Sequence, residues 1–211
     1  MRLATKSIDS DAILQFWFDD AVHQPESIPR AKQRWYRGGA TLDRSIAAQF
    51  KTIHALAADQ GLRDKLNPRA VLARIILLDQ FSRHLYRGTP KAFSFDPLAL
   101  AFSRQLLNSK AVDALQPIEH LFALHPFHHS EDRAAQQLGI SKVETLTEQV
   151  SSAWRPLFQD FLKSFQEHAL IIERFGRFPH RNEILNRANT TQEKRYLTQQ
   201  PQRYGQSHGH H

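Results

Sequence analysis

The stretch Pro156-Leu157-Phe158-Gln159-Asp160-Phe161-Leu162-Lys163-Ser164-Phe165-Gln166-Glu167-His168-Ala169-Leu170-Ile171-Ile172-Glu173-Arg174-Phe175-Gly176-Arg177-Phe178-Pro179 decides the fold class. Leu157, Phe161, Phe165, His168/Ala169, Ile172 and Phe175 recur every three or four residues. That is the period of an α-helix with one face turned to a core. Gly176 offers the left-handed conformation that ends a helix, and Pro179 cannot prolong one.

The same grammar recurs outward from this segment. Leu42, Ile46, Phe50, Ile53 and Ala57 keep helical spacing behind Thr41 and stop at Gly61. Asn67-Pro68 joins a capping side chain to a first-turn proline and opens a helix from about Arg69 to Arg87, closed by Gly88 and Pro90. Asp96-Pro97 repeats that device for a helix through about Asn108. Pro117 begins a short helix that ends before Pro126, and Ser130 caps one from Glu131 to Leu138. Thr190 with Glu193 forms a capping-box pattern for a last helix. No alternating run of β-branched residues marks a strand. The expectation is an all-α chain of about eight to ten helices packed pairwise as a compact bundle or array, with one domain over residues 1–200. Residues 201–211 form a polar tail carrying His208, His210 and His211, which are set aside from site reasoning.

At 211 residues and 41% hydrophobic composition the chain can bury a sizeable core. The absence of cysteine removes disulfides, thiolate nucleophiles and thiolate metal ligands, and fits a reducing compartment. Residues 1–12 lack the apolar core of a secretory signal, and the greasiest run, Val71 to Leu78, is short and broken by Arg74. These features predict a cytoplasmic protein that does not enter membranes. A formal charge of +7 suits either solubility or an anionic partner.

Three segments carry candidate chemistry. In Leu77 to Pro90, Asp79, Arg83 and Arg87 are four apart and share a helix face. They form either an ion-pair ladder or, if buried, an anion-binding set. The segment His125-Pro126-Phe127-His128-His129-Ser130-Glu131-Asp132 offers imidazoles and carboxylates for backbone bonding, acid–base work or metal ligation, although it matches no metalloprotease spacing. The third runs from His168 to Arg187 and gathers Arg174, Arg177, His180, Arg181 and Asn182. A helix starting after Pro179 would aim the amides of residues 180–182 at an anion, with arginine forks beside them. The alternative is a helix–helix corner whose arginines bond free carbonyls. P-loop, dinucleotide-binding and nucleophile-elbow motifs are absent, so no cofactor is expected. Trp17, Trp35 and Trp154 read as core or interface anchors, so nucleic-acid binding rests on charge alone and is disfavoured.

Ile13-Leu14-Gln15-Phe16-Trp17-Phe18, Leu77-Leu78-Asp79-Gln80-Phe81-Ser82-Arg83, Tyr86-Arg87-Gly88-Thr89-Pro90, His129-Ser130-Glu131-Asp132 and Arg174-Phe175-Gly176-Arg177-Phe178-Pro179-His180-Arg181-Asn182 occur in that order. Taken together, from about Ile13 to Leu197, the chain resembles the bacterial family catalogued as domain of unknown function 924. The resemblance implies a helical fold similar to tetratricopeptide-repeat proteins, and no known reaction. The family favours proline and asparagine where this chain has Ser82 and His84, and glycine where it has Asn186.

Three functions follow as expectations. The favoured one is a site for a small phosphate or carboxylate compound built from Asp79, Arg83, Arg87, Glu131, Asp132, Arg174, Arg177, His180, Arg181 and Asn182. If it is an enzyme, His129 or His168 moves the proton. The others are a non-enzymatic helical scaffold for a peptide or protein and a metal hydrolase using His128, His129, Asp132 and His168.

Overall fold

The helical grammar of the sequence is realised throughout the computed structural model, which describes residues 7–62 and 67–199. The polar tail at 201–211 lies outside the described residues, as does the start of the N-terminal segment. Helices α1 (Ser10–Phe18), α2 (Ile28–Arg37) and α3 (Gly39–Gln60) lead into α4 (Pro68–Ile75). A π-helical turn, Ile76–Phe81, joins α4 to α5 (Ser82–Leu85). Then follow α6 (Asp96–Asn108), α7 (Pro117–His129), α8 (Arg133–Gln149), α9 (Arg155–Phe175) and α10 (Thr191–Gln199). Among the described residues there is no strand, and no helix is long and apolar enough to cross a membrane.

The centre is the α4–π–α5 run. Every residue from Val71 to Ser82 is buried, because α1, α3, α6 and α7 pack around it. A helix apolar on all sides can only lie inside a protein. Trp17, Trp35 and Trp154 are buried as expected, and the Trp35 indole donates to the Trp17 carbonyl at 2.9 Å. Asn67 caps α4 through the Ala70 amide at 2.8 Å. Thr190 and Glu193 complete the capping box of α10, with bonds of 2.7 and 3.2 Å. Gly61 and Gly176 end α3 and α9 at φ of 58° and 69°. Asn186 takes φ of 53°, so it adopts the left-handed conformation that glycine would otherwise supply.

Five local expectations are corrected. The helix opened by Asn67 is α-helical only to Ile75, and its next six residues form a π turn. Helix α7 does not stop before Pro126 but continues to His129, carrying the histidines on a helix rather than a loop. Pro126 removes one amide donor there. Asp132, not Ser130, caps α8, through the Ala135 amide at 2.7 Å. Asp96 makes no capping bond to α6. After Pro179 there is only a 3-10 turn, Pro179–Arg181, so the amides of residues 180–182 do not form an α-helix N-terminus.

Candidate functional site

The π turn sets the site. It carries six buried residues, among them Asp79, whose side chain has no exposed surface. Such turns insert a residue into a helix and recur where a side chain must be aimed off the α-helical register. Asp79 Oδ1 lies 2.7 Å from Nδ1 of His129 at the end of α7, and Asp79 Oδ2 accepts from Gln80 Nε2 at 2.6 Å. A carboxylate oxygen accepts, so the His129 proton sits on Nδ1. Nε2 of His129 has no hydrogen-bond partner among the described residues, and the side chain is 17% exposed. This is the arrangement of a histidine held as a base by a carboxylate behind it.

One turn on, Arg83 grips both oxygens of Asp96 at 3.0 and 3.1 Å and also donates to the Asp79 carbonyl. Arg181, from the 3-10 turn, reaches the same Asp96 at 3.2 Å and the His129 carbonyl at 3.1 Å. Its guanidinium lies 4.6 Å from the ring centres of both Phe93 and Phe178. Asp96 thus ties the first and third segments of the sequence reading together.

Around His129 the rings of His125, His128 and His168 form a contiguous cluster. His128 and His168 centroids are 3.8 Å apart, and His125 stacks on Phe122 at 4.3 Å. His125 and His168 place Nδ1 3.0 Å from the carbonyls of Leu121 and Ser164. A carbonyl only accepts, so both rings carry their proton on Nδ1. Burial holds both His128 and His129 well below the usual imidazole range, joined at His128 by the neighbouring histidines and Arg181, and at His129 by Arg83, His125 and Arg181. Burial also lowers His168 to about 4 and, with Arg181 beside it, His180 to about 2. The histidines are therefore neutral, and they lie beside two arginines whose charge Asp79 and Asp96 offset.

Tyr36 is one neighbour that no sequence signal disclosed: it is 49% exposed and packs edge to face on Trp35 at 6.3 Å. Asp96, His125 and Phe93 are the other additions. Asp96 read as a helix cap, and only its contact with two arginines distant in sequence gives it away.

The remaining candidates lie elsewhere in separate ion pairs. Arg87 grips Asp43 at 2.7 and 2.8 Å, with His84 Nδ1 2.8 Å from the same carboxylate. Burial alone would raise Asp43, but Arg87 and His84 hold it down to about 2. Glu131 accepts from the Phe178 amide and from Arg187 at 2.7 to 3.0 Å. Arg177 pairs with Glu193 at 2.7 Å, Arg174 lies over Phe175 at 4.8 Å, and Asn182 bonds Asn189. Asp132 is occupied as a cap. Among the described residues no group of three histidines and carboxylates is arranged to hold a metal ion. A cavity of about 300 Å³ sits apart from the cluster of His125, His128, His129 and His168, between the end of α1 and the start of α7, beside Asp19, Asp20, His23, Arg69 and Glu119.

The chain is similar to a solved protein of unknown function from Agrobacterium tumefaciens, with 31% sequence identity and a TM-score of 0.71. That match spans 90% of this chain and 97% of the other. No curated protein matches the sequence. The model of the bacterial protein family of unknown function, domain 924, matches residues 13–201. Sequence motifs, fold and comparison agree that the chain belongs to this family.

Proposed function

We propose that the protein binds a small carboxylate- or phosphate-bearing molecule at the corner formed by Asp79, Arg83, Arg181 and His129, and that His129 acts on it as a general base. The observation that carries this reading is the 2.7 Å contact between His129 Nδ1 and wholly buried Asp79, with Nε2 left without a partner among the described residues. A neutral imidazole fixed in one tautomer by a carboxylate is prepared to take a proton. Arg83 and Arg181, which add to burial in keeping His129 neutral, are the groups that would draw an anion to this corner.

Calorimetric titration with phosphate, sugar phosphates and small carboxylic acids tests the binding half. Arg83→Lys keeps the charge but loses the planar fork, and should weaken an anion by about tenfold, near 1.4 kcal/mol. Absence of any anion binding would remove the reading. Proton NMR of bound anions in deuterium oxide tests the base. Exchange or conversion lost in His129→Asn supports it, and binding without either leaves a binder only.

A scaffold reading draws on one observation. Arg87–Asp43, Arg177–Glu193 and Arg187–Glu131 satisfy one another, as they would in a tetratricopeptide-like frame whose polar segments serve structure. A blank anion screen together with capture of a defined peptide would favour it.

A further inference from the structure

The histidine cluster carries more information than the position of one base. His125 and His129 both spend Nδ1–H on fixed acceptors, the Leu121 carbonyl at 3.0 Å and Asp79 at 2.7 Å. Each is neutral, so each presents Nε2 as a bare lone pair, and neither Nε2 has a hydrogen-bond partner among the described residues. The two rings meet edge to face at 5.9 Å. His168 has its tautomer fixed in the same sense by Ser164 and lies on the far side of His128. One corner of the protein is thus rich in preformed acceptors directly beside two arginines. Asp96 already holds Arg83 and Arg181 at 3.0 to 3.2 Å, so the open hydrogen-bonding capacity of the corner lies on the acceptor side. Nε2 of His129, on a side chain that is 17% exposed, is a fixed acceptor open to a group that donates.

We infer that the ligand is a hydroxylated anion, in which a carboxylate or phosphate sits in the field of Arg83 and Arg181 while a neighbouring hydroxyl donates to Nε2 of His129 or His125. This rests on the reading of the corner as an anion site and adds the second functional group. It also places the proton that His129 would take, since the hydroxyl bonded to Nε2 is the nearest acidic hydrogen.

Matched pairs read this directly: malate against succinate, and glycerol 3-phosphate against propyl phosphate, titrated into the intact chain. The hydroxylated member should bind roughly fivefold to tenfold tighter, the span expected for one hydrogen bond. The preference should fall to near unity in His129→Gln, which keeps a donor toward Asp79 but loses the aromatic lone pair. As a readout independent of any change in local packing, ¹⁵N spectra of histidine-labelled wild type test the same point. They should show Nδ1–H tautomers for His125 and His129, with the Nε2 resonance shifting when the hydroxylated ligand is added. Equal binding within both pairs overturns the hydroxyl inference while the anion reading stands. Failure of all four compounds, with binding by no other anion, removes both. Nε2–H tautomers at His125 and His129 overturn the inference whatever the affinities.

Discussion

The carboxylate of Asp79 and the imidazole of His129 meet at 2.7 Å although fifty residues separate them, and Asp79 has no exposed surface. Three groups depend on that one carboxylate: the His129 ring, the Gln80 amide and Arg83, whose Nη1 is 3.5 Å from Oδ1. Asp79→Asn keeps the volume and removes the charge. Arg83 then leans on Asp96 alone, and the His129 tautomer is no longer fixed. We expect a loss of roughly 2–3 kcal/mol in urea unfolding, with an unchanged m-value. A midpoint equal to wild type would show that the pair contributes nothing to folding.

How much of this was legible in the sequence depends on the range of the contact. The 3.6-residue period of Leu157 to Phe175, the glycine stops at Gly61 and Gly176, and the Thr190–Glu193 box are local devices, and each appears where it was read. Asp79, Arg83, His129 and Arg181 were singled out because their polarity stood out against an apolar helix or a short charged motif. Asp96 was misread because Asp-Pro is a common helix opening, and no local pattern reports a bond to arginines 13 and 85 positions away. The α7 boundary failed for a related reason. Proline usually ends a helix, but burial of Ile118 to His128 on nearly every side carries α7 through Pro126. The π turn leaves no compositional trace at all.

Acid should unfold this protein through its histidines. His168 and His54 are lowered to about 4 chiefly by burial, and His125, His128 and His129 are lowered in the same direction. In the unfolded chain these groups titrate near 6.5, so below that pH the unfolded state binds more protons. Stability is then fully present above about pH 6.5 and is lost as pH falls toward 4. His168 alone accounts for on the order of 3 kcal/mol across that window, at about 1.4 kcal/mol per pH unit. Urea midpoints at pH 7, 5.5 and 4.5 should fall steeply, and His168→Gln should flatten the profile. A flat wild-type profile would mean that these histidines are not held neutral in the native state.

The last helix rests on its cap. Thr190 Oγ1 accepts from the Glu193 amide, while Glu193 accepts from the Thr190 amide and from Arg177. Thr190→Ala should cost about 1 kcal/mol. The loss should appear first as faster amide exchange in Thr191–Gln199, with little change in α7. Uniform acceleration across both helices would instead mean that α10 opens only when the whole protein does.

Asp96 is the joint through which distant segments share charge. Its two oxygens serve Arg83 and Arg181, both of which are largely buried, and Asp96 itself is 13% exposed. Removing the carboxylate leaves two cations facing each other, with Asp79 and Glu131 as the acidic groups nearby. Desolvation has already been met by the fold, so the loss is not that of an ordinary surface pair. Asp96→Ala should therefore cost about 3–5 kcal/mol, the range for breaking a buried ion pair from one side. Arg181→Met in the same background removes one of the stranded cations and should recover part of that loss. The coupling energy from the four-member cycle should reach about 1–3 kcal/mol, as it does for residues in one network. If Asp96→Ala and Arg181→Met simply add, Asp96 is acting through Arg83 alone, and Arg181 is held instead by its contacts with Phe93, Phe178 and the His129 carbonyl.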